Sequence, residues 1–508
     1  AIRQYHDDLR GLSGLAPRTL KNLRVSLIQR FLTEQLDFIN VAKEVVRITD
    51  FHDLLEQVII TSGSHGKLGG KASGLLLANW IIHSPAARDR GLGEVKVPRS
   101  WSIISDAIMD FIKLNDLDDV MDQKFKDITQ VRREYPNMVQ LFKNSIMPAE
   151  VTEGLERALD YFGETPLIIR SSSLLEDRFG TAFSGKYKSL FLANQGNKQE
   201  RLAFLLAAVA EIYASMFGPD PIHYRRERGV LEFDEQMGIL IQEVVGRKVG
   251  KYFFPSFAGV AFSRNEFRWS PRITREDGLV RLVPGLGTRA VDRIGDDYPV
   301  LLVPGKPELR ANVAVDEIMR YAPGSMDVVN LEENSFETIA VSDLLEATDG
   351  EYPGLTRVFS RLEDGRLARP VSTFVDEEDR RNLVACFEGL RSSSKFVNQV
   401  REALIALEEV LGNPVDVEFA HDGEHLYLLQ CRPQSQASAS RPDAIPQDLP
   451  WQDVVFTANR FVSNAHMEEI RYVVYVDPDR YGMLPSKEKM KEVGQAVGRL
   501  NRVLPRKQ

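Results

Sequence analysis

Four polar side chains near the carboxyl end of the 508-residue chain have the types and spacing for shared chemistry. Asp416 and Glu418 alternate along one predicted strand, and Gln430 and Arg432 alternate along the next, so each pair shares a face. An Asp-Gly pair at 422–423 is typical of a hairpin turn and brings the two pairs together. Hard oxygen ligands suit Mg²⁺ and arginine suits a polyphosphate, which favours a metal and phosphate site over the polar outer side of an ordinary hairpin.

A glycine-rich loop at 61–71 is the second candidate site. It ends in Gly69, Gly70 and Lys71, directly before an apolar run that predicts a helix at 75–82. Backbone N–H groups at a helix start, together with a lysine, attract anions. The spacing does not fit a Walker A motif, and an ordinary glycine turn with a solvated lysine remains the alternative.

Two further segments place possible phosphate ligands after apolar strands. Arg170 ends the strand predicted at 166–170, where its planar guanidinium can either bind a phosphate or form a surface salt bridge. Gly285 and Gly287 follow another apolar run, and a loop that closes over phosphate and a plain turn are equally open there. A Rossmann motif would require an acidic residue at the end of a second strand about 20 positions later, and Asp292, Asp296 and Asp297 come too early for that role.

The segment from His421 to His425 fits the H-x-x-E-H pattern of some zinc proteases. That chemistry needs both histidines on one helix face, whereas the predicted hairpin turn separates them. We therefore do not expect zinc at this position.

Composition limits the function classes. The 64 basic and 73 acidic residues give a formal net charge of −9, so general nucleic-acid binding is not expected. No apolar run approaches the roughly 20 residues that span a bilayer, and we expect no membrane segment. Two cysteines, Cys386 and Cys431, cannot form a disulfide framework, which favours a reducing, cytoplasmic location. The chain starts at Ala1 rather than Met, and we expect it to be part of a longer protein.

The elements that position these residues are mixed helices and strands, which predicts an α+β fold. Helical patterns dominate the first 60 residues, and 376–411 also reads as helix, whereas Met237 to Val245 reads as a strand. A Pro- and Ser-rich stretch at 433–450 predicts a linker. The predicted parts are an N-terminal helical segment, a first lobe, a second lobe and a C-terminal α/β extension, at 1–60, 61–250, 251–436 and 437–508.

Together the motifs resemble the nucleotide-binding domain of the phosphoenolpyruvate synthase and pyruvate phosphate dikinase family, a two-lobed ATP-grasp variant. The resemblance covers roughly residues 60–436. It rests on the order of several short matches: G-G-K at 69–71, R-S-S at 170–172 with Glu176, Asp177 and the F-S-G at 183–185, G-V-A-F-S at 259–263, G-L-G at 285–287, D-x-E at 416–418 and Q-x-R at 430–432.

The resemblance implies ATP and Mg²⁺ as cofactors and assigns roles to the matching residues. Arg432, Asp416 and Arg170 would be catalytic, and Glu418, Gln430 and Asp416 would hold the metal. The nucleotide would be bound by Gly69, Gly70, Lys71, Arg170, Gln242, Glu243, Val244, Gly285, Gly287 and Arg432, with adenine against the hinge at 242–244.

Three departures from the family pattern affect the expected function. None of the eight histidines has the family's full phosphohistidine motif, and we expect no pyruvate-binding domain of the family in this chain. Thr288 also replaces an expected acidic residue after G-L-G. We therefore expect phosphoryl transfer from ATP, with AMP as product, to a histidine or another acceptor outside this chain. A direct small-molecule or protein kinase, which would release ADP, and a non-catalytic ATP sensor are the alternatives. The oligomeric state stays open.

Overall fold

The structure, a computed structural model, describes the chain in several stretches, at 16–173, 186–232, 235–291, 297–370, 377–391, 394–434, 449–450, 452, 454, 462–463 and 472–503. Contacts divide the chain into two units. The first comprises Ala1–Ser435 and Ala458–Val462, and the second comprises Gln436–Thr457 and Ser463–Gln508. Helices and mostly antiparallel sheets occur side by side, which confirms the predicted α+β class.

Three helices open the described part of the first unit, at Pro17–Phe31, Leu36–Val45 and Asp50–Glu56. Proline at the first helical position suits a helix start, because its missing N–H would have no partner there. Each helix buries apolar residues on one side, for example Ile28 in the first helix and Phe51 in the third. The helical pattern predicted here is therefore confirmed for the described residues.

The first five-stranded sheet, sheet I, has the order Val58–Ile59, Ser100–Ile103, Met237–Glu243, Leu167–Ser173 and Ser189–Leu192. Only its first pair is parallel. It shares an apolar core with the helices Ala107–Leu114, Ile128–Lys143, Ala149–Phe162 and Lys198–Ser215. Among the described residues, Lys198–Glu227 is the one helical stretch long and apolar enough to cross a membrane, but 61% of its apolar window is buried, as expected of a core helix.

The second five-stranded sheet, sheet II, is antiparallel throughout, in the order Val300–Leu302, Leu279–Pro284, Phe257–Phe262, Val415–His421 and Leu426–Pro433. One of its faces packs against the helices Gly70–Ile82 and Ser394–Leu411 in the largest apolar core. The last two strands form the predicted hairpin, and Gly423 in its turn has a φ of 102° that favours glycine.

Two smaller sheets complete the first unit. The four-stranded sheet contains Arg247–Val249, Tyr252–Phe254, Ser325–Asn330 and Ser335–Ala340, and the three-stranded sheet contains Phe359–Glu363, Arg366–Ala368 and Leu383–Ala385. The last of these strands corrects the helix predicted over 376–411. The run Leu383-Val384-Ala385 pairs with Phe359–Glu363, and this long-range pairing outweighs the local helical pattern.

The remaining helices of the first unit are short. They lie at Pro85–Asp89, Pro219–Glu227, Thr288–Val291, Val315–Tyr321, Val341–Ala347, Leu355–Val358, Glu377–Arg381 and Glu388–Arg391, with 3₁₀ turns at Leu92–Glu94, Asp118–Phe125 and Arg275–Asp277. Two-residue strands lie at Phe267–Arg268 and Val462–Ser463. The second unit contains the helices Pro478–Gly482 and Lys487–Val503. Most of the predicted linker at 433–450 falls outside the described residues.

Candidate functional site

The hairpin register brings the four polar residues together as the sequence predicted. Asp416 lies opposite Arg432, and Glu418 lies opposite Gln430. Because side chains alternate along a strand, all four share one face of sheet II, which we name the site face. The intervening residues, such as Val417 and Phe419, point into the apolar core on the other face.

The site face extends across the neighbouring strands. Val260 lies opposite Glu418, and Arg281 lies opposite Val260, so Arg281 belongs to the same cross-strand row as the Glu418–Gln430 pair. Phe262 stands in the next row, opposite Asp416. The sequence analysis did not identify Arg281. Alternation predicts which residues of one strand share a face, but it does not predict that the strand of Arg281 lies two places from the strand of Glu418 in the sheet.

Asp416 and Arg432 form the first ion pair of the site. Nε of Arg432 donates to a carboxylate oxygen of Asp416 over 2.7 Å, and Asp416 is buried. Burial disfavours the charged carboxylate and raises the pKa of Asp416 to about 6, although the Arg432 guanidinium acts in the opposite direction. The site therefore holds a carboxyl group that titrates close to neutral pH.

Arg170 crosses from sheet I to the site face of sheet II. Its Nη2 donates to Glu418 over 2.6 Å and to the side-chain oxygen of Gln430 over 2.7 Å, although the partners stand 248 and 260 positions away in sequence. Burial alone would raise the pKa of Glu418, but the guanidinium groups of Arg170 and Arg432 outweigh it, and the pKa lies below its ordinary value. Glu418 is therefore held as a carboxylate.

The glycine loop packs directly against the strand that carries Arg170. Gly69 has a φ of 83°, and a Cβ atom there would lie 1.6 Å from the carbonyl oxygen of Ser172, so only glycine fits. The Ala72 N–H donates to Ser172 Oγ over 3.2 Å. Buried Lys71 donates from Nζ to Ser171 Oγ over 3.1 Å, and its charge helps to lower the pKa of Glu418. Lys71 and Arg170 therefore face the same carboxylate.

The three residues predicted to form an adenine hinge lie at the end of the strand Met237–Glu243, and their side chains point to different neighbours. Gln242 is buried and donates to Ser100 Oγ over 3.3 Å. Glu243 accepts from the backbone N–H and Nε of Arg99 over 2.9 and 2.6 Å. Val244 packs in a small apolar cluster with Leu286. Only Val244 therefore groups with the predicted glycine turn at 285–287.

Gly285 and Gly287 lie at the end of the strand Leu279–Pro284. Gly285 has a φ of 68°, and a Cβ atom there would approach the carbonyl oxygen of Asp327 to 2.6 Å. Gly287 passes over Ala258, whose side chain belongs to the site face. Thr288, which replaces the family's acidic residue, donates its hydroxyl to the Asp327 carboxylate. Close packing and the positive φ therefore require glycine at 285, whereas a Cβ atom at 287 would lie 3.3 Å from the Cβ of Ala258.

The remaining residues that the sequence analysis singled out do not belong to the cluster of Arg170, Glu418 and Gln430. His421 lies in a strand, stacked on Phe257 with ring centroids 4.8 Å apart, and burial lowers its pKa to about 4. Within the described stretches, no group of three His, Cys, Asp or Glu side chains is arranged to hold a metal ion. The matches at Glu176, Asp177 and 183–185 lie outside the described residues.

Comparison with known families gives a match over most of the chain. Residues 65–452 match the family model described as the AMP/ATP-binding domain of pyruvate phosphate dikinase. The chain belongs to this family. The resemblance drawn from the short motifs is therefore confirmed, and the match includes the glycine loop from His65 onward, sheet II and the hairpin.

Curated relatives share this dikinase-type domain at low identity. Phosphoenolpyruvate synthase of Deinococcus radiodurans is 21% identical over 402 residues, which cover 76% of this chain and 41% of that protein. Phosphoenolpyruvate synthase of Escherichia coli is 23% identical over 68% of this chain and 38% of its own length. The uncharacterized phosphotransferase YvkC of Bacillus subtilis is 24% identical over 52% of this chain and 24% of its own length. The chain thus spans less than half of each of these relatives.

Proposed function

We propose that this chain is an ATP-dependent phosphotransferase module with a two-lobed, ATP-grasp-like site. Sheet I and the glycine loop would form the first lobe, at 61–250, and sheet II the second, at 251–436. The single observation that carries the proposal is the contact of Arg170 with both Glu418 and Gln430. It joins Arg170 to two motifs of the hairpin, 248 and 260 positions away in sequence, around one buried polar cluster.

The phosphates of ATP would be neutralised by Lys71, Arg170 and Arg432. The Nε atom of Arg170 is buried and makes no hydrogen bond within the described residues, which leaves one donor for an incoming anion. Gly69 caps the helix Gly70–Ile82 and Gly70 is its first residue, so both would offer backbone N–H groups to the same phosphates. The adenine would contact the hinge at 242–244, with Val244 in direct reach of the turn that contains Gly285 and Gly287.

The donor set fits Mg²⁺. Oxygens of Glu418 and Gln430 both lie within 2.7 Å of one guanidinium nitrogen of Arg170, so they already converge on a single positive group. Mg²⁺ is commonly bound by one or two carboxylates together with substrate phosphates, so a site without three acidic ligands is consistent with this ion. Glu418 and Gln430 would hold the ion, Asp416 would support them through Arg432, and the bound ion would neutralise charge on the phosphates.

The acceptor would come from outside this chain. By analogy with dikinase chemistry, we expect a histidine of another domain to receive the phosphoryl group and AMP to be released. The curated relatives extend well beyond the matched region, and an acceptor domain of that kind is one explanation of the difference in length. We also expect a cytoplasmic location, in keeping with two buried cysteines that form no disulfide.

A cavity supports a second candidate, a kinase that acts directly on a small molecule. It has a volume of about 480 Å³ and lies beside the site face, with Arg281, Arg289 and Tyr298 in its lining. Arg281 shares a row with Glu418 and Gln430, two strands away. A small acceptor bound there would lie near the phosphates.

The products of ATP turnover separate these functions. The protein would be incubated with Mg-ATP and candidate acceptors, and AMP would be resolved from ADP by chromatography. AMP supports the dikinase reaction, and ADP supports the direct kinase. Binding of ATP without any nucleotide product would point to the sensor, and the absence of ATP binding would refute the proposed site.

A further inference from the structure

Residues that precede the matched family domain hold the glycine loop in place. The family match begins at residue 65, whereas the helix Pro17–Phe31 and the residues directly after it precede this boundary. Arg30, in the last turn of that helix, donates from Nη2 to the Ser64 carbonyl over 2.6 Å and from Nη1 to the Gly66 carbonyl over 2.9 Å. Two carbonyl groups of the loop are thus held by one side chain.

Three further contacts continue this connection along the loop. The Leu68 N–H donates to the Phe31 carbonyl over 2.9 Å, and Ser73 Oγ donates to the Leu32 carbonyl over 3.3 Å. Lys67 pairs with Glu34 over 3.0 Å. Together with the Arg30 contacts, these interactions extend along the loop from Ser64 to Ser73, which lies in the first turn of the helix Gly70–Ile82.

Asp106 holds the opposite side of the same loop. Its carboxylate accepts from Ser64 Oγ over 2.6 Å and from the N–H groups of His65 and Gly66 over 2.8 Å each. The carbonyls of Ser64 and Gly66 therefore face Arg30, and the amides of His65 and Gly66 face Asp106. Because both sets of backbone groups are satisfied by charged side chains, the loop has one strongly preferred conformation.

We propose that Arg30 is a positioning residue for nucleotide binding, and that the helix Pro17–Phe31 presets the glycine loop for the phosphates. This inference rests on the proposed function, since it assumes that Gly69, Gly70 and Lys71 meet the triphosphate. Arg30 does not itself reach the nucleotide; it acts through the loop. Without it, the loop samples other conformations, and binding must first restore the competent one.

Arg30→Met tests this role, with Arg24→Met as the matched control. Arg24 lies on the same helix, is also half-buried, and donates to the Lys43 carbonyl over 3.0 Å, away from the loop. The measurement is calorimetric binding of magnesium with a non-hydrolysable ATP analogue to the full chain. We expect Arg30→Met to weaken binding about tenfold, Arg30→Lys to restore part of the loss, and Arg24→Met to stay within about twofold.

Hydrogen exchange supplies a second readout, because lower overall stability speeds exchange throughout the core, whereas a released loop speeds it only at the loop amides. Its measurement on wild type does not require that a variant fold. In the unmodified protein we expect slow exchange at the Gly66 and Leu68 amides, and in Arg30→Met a selective rise at these positions. Equal analogue affinity in Arg30→Met and wild type, or unprotected Gly66 and Leu68 amides in wild type, would overturn the inference. Failure of wild type to bind the analogue at all would instead reject the proposed function.

Discussion

Different physical effects arrange the two sides of the candidate site, which are the hairpin and the glycine loop. On the hairpin, the groups that matter are side chains, and two adjacent strands arrange Asp416, Glu418, Gln430 and Arg432 on one face. On the glycine loop, the backbone decides the arrangement, since Gly69 fits only because it lacks a Cβ atom. The hairpin is organised by its own turn, whereas the loop depends on contacts from Arg30, Asp106 and the strand of Arg170.

This difference predicts different consequences of mutation. A substitution of a site residue on the hairpin should lower catalytic activity without unfolding the protein, because the strand pairing uses backbone groups that every residue supplies. A substitution in the loop should affect stability and binding together, because the same atoms pack against sheet I and, in the proposed site, would face the phosphates. Substitutions on each side can therefore test whether the two regions differ as described.

The largest expected effect is on turnover. Arg432→Ala and Glu418→Ala should each lower the rate of ATP consumption by at least about a hundredfold, because in the proposed site each would remove a charge that neutralises the phosphates or holds the metal. Rates and circular dichroism spectra would be measured on the purified variants. His425→Ala, near the turn of the same hairpin, is the control and should keep the wild-type rate. Wild-type turnover in either site variant would show that the hairpin is not the catalytic side.

Glycine substitutions measure the contribution of the loop backbone to stability. Gly69→Ala should destabilise the fold by about 3 kcal/mol or more, because its Cβ would collide with the Ser172 carbonyl. Gly63→Ala is a matched control, since Gly63 has a similar φ of 76° but no atom within 4 Å of the added Cβ. It should cost only about 1 kcal/mol of backbone strain. Equal losses in urea unfolding would mean that packing on sheet I does not fix the loop.

The smallest expected effect concerns the pH dependence of the hairpin. The folded-state pKa of Asp416, about 6, lies above its ordinary value of 3.8, so its stabilising contribution is complete below pH 4 and is lost as pH rises through 6. Between pH 5 and 7, wild type should lose on the order of 1 kcal/mol of unfolding free energy relative to Asp416→Asn. Parallel stability curves for the two proteins over this range would contradict the raised pKa.

Much of the hairpin was predictable because its information is local. The alternation at 416–418 and 430–432 predicts which residues share a face, and the Asp-Gly pair predicts the turn. The register was not predictable in the same way, because the pairing shifts between Glu418 and Phe419. The helix predicted over 376–411 was partly wrong for a reason that is not local. Leu383–Ala385 pairs with a strand that begins 24 residues earlier, and no local pattern carries that pairing.

The sequence by itself determined which groups are available: a glycine turn before Lys71, an arginine in a buried strand, and a hairpin with two carboxylates, an amide and a guanidinium. The strand of Arg170 was predicted to end at 170, but it continues to Ser173 because these residues also pair with the strand Met237–Glu243. Only the tertiary structure decided that Arg170 reaches Glu418 and that Arg30 holds the loop, since these contacts join residues 248 and 34 to 36 positions apart. The physical reason is that strand alternation and turn chemistry act over a few residues. The packing of one sheet against another depends on the whole core.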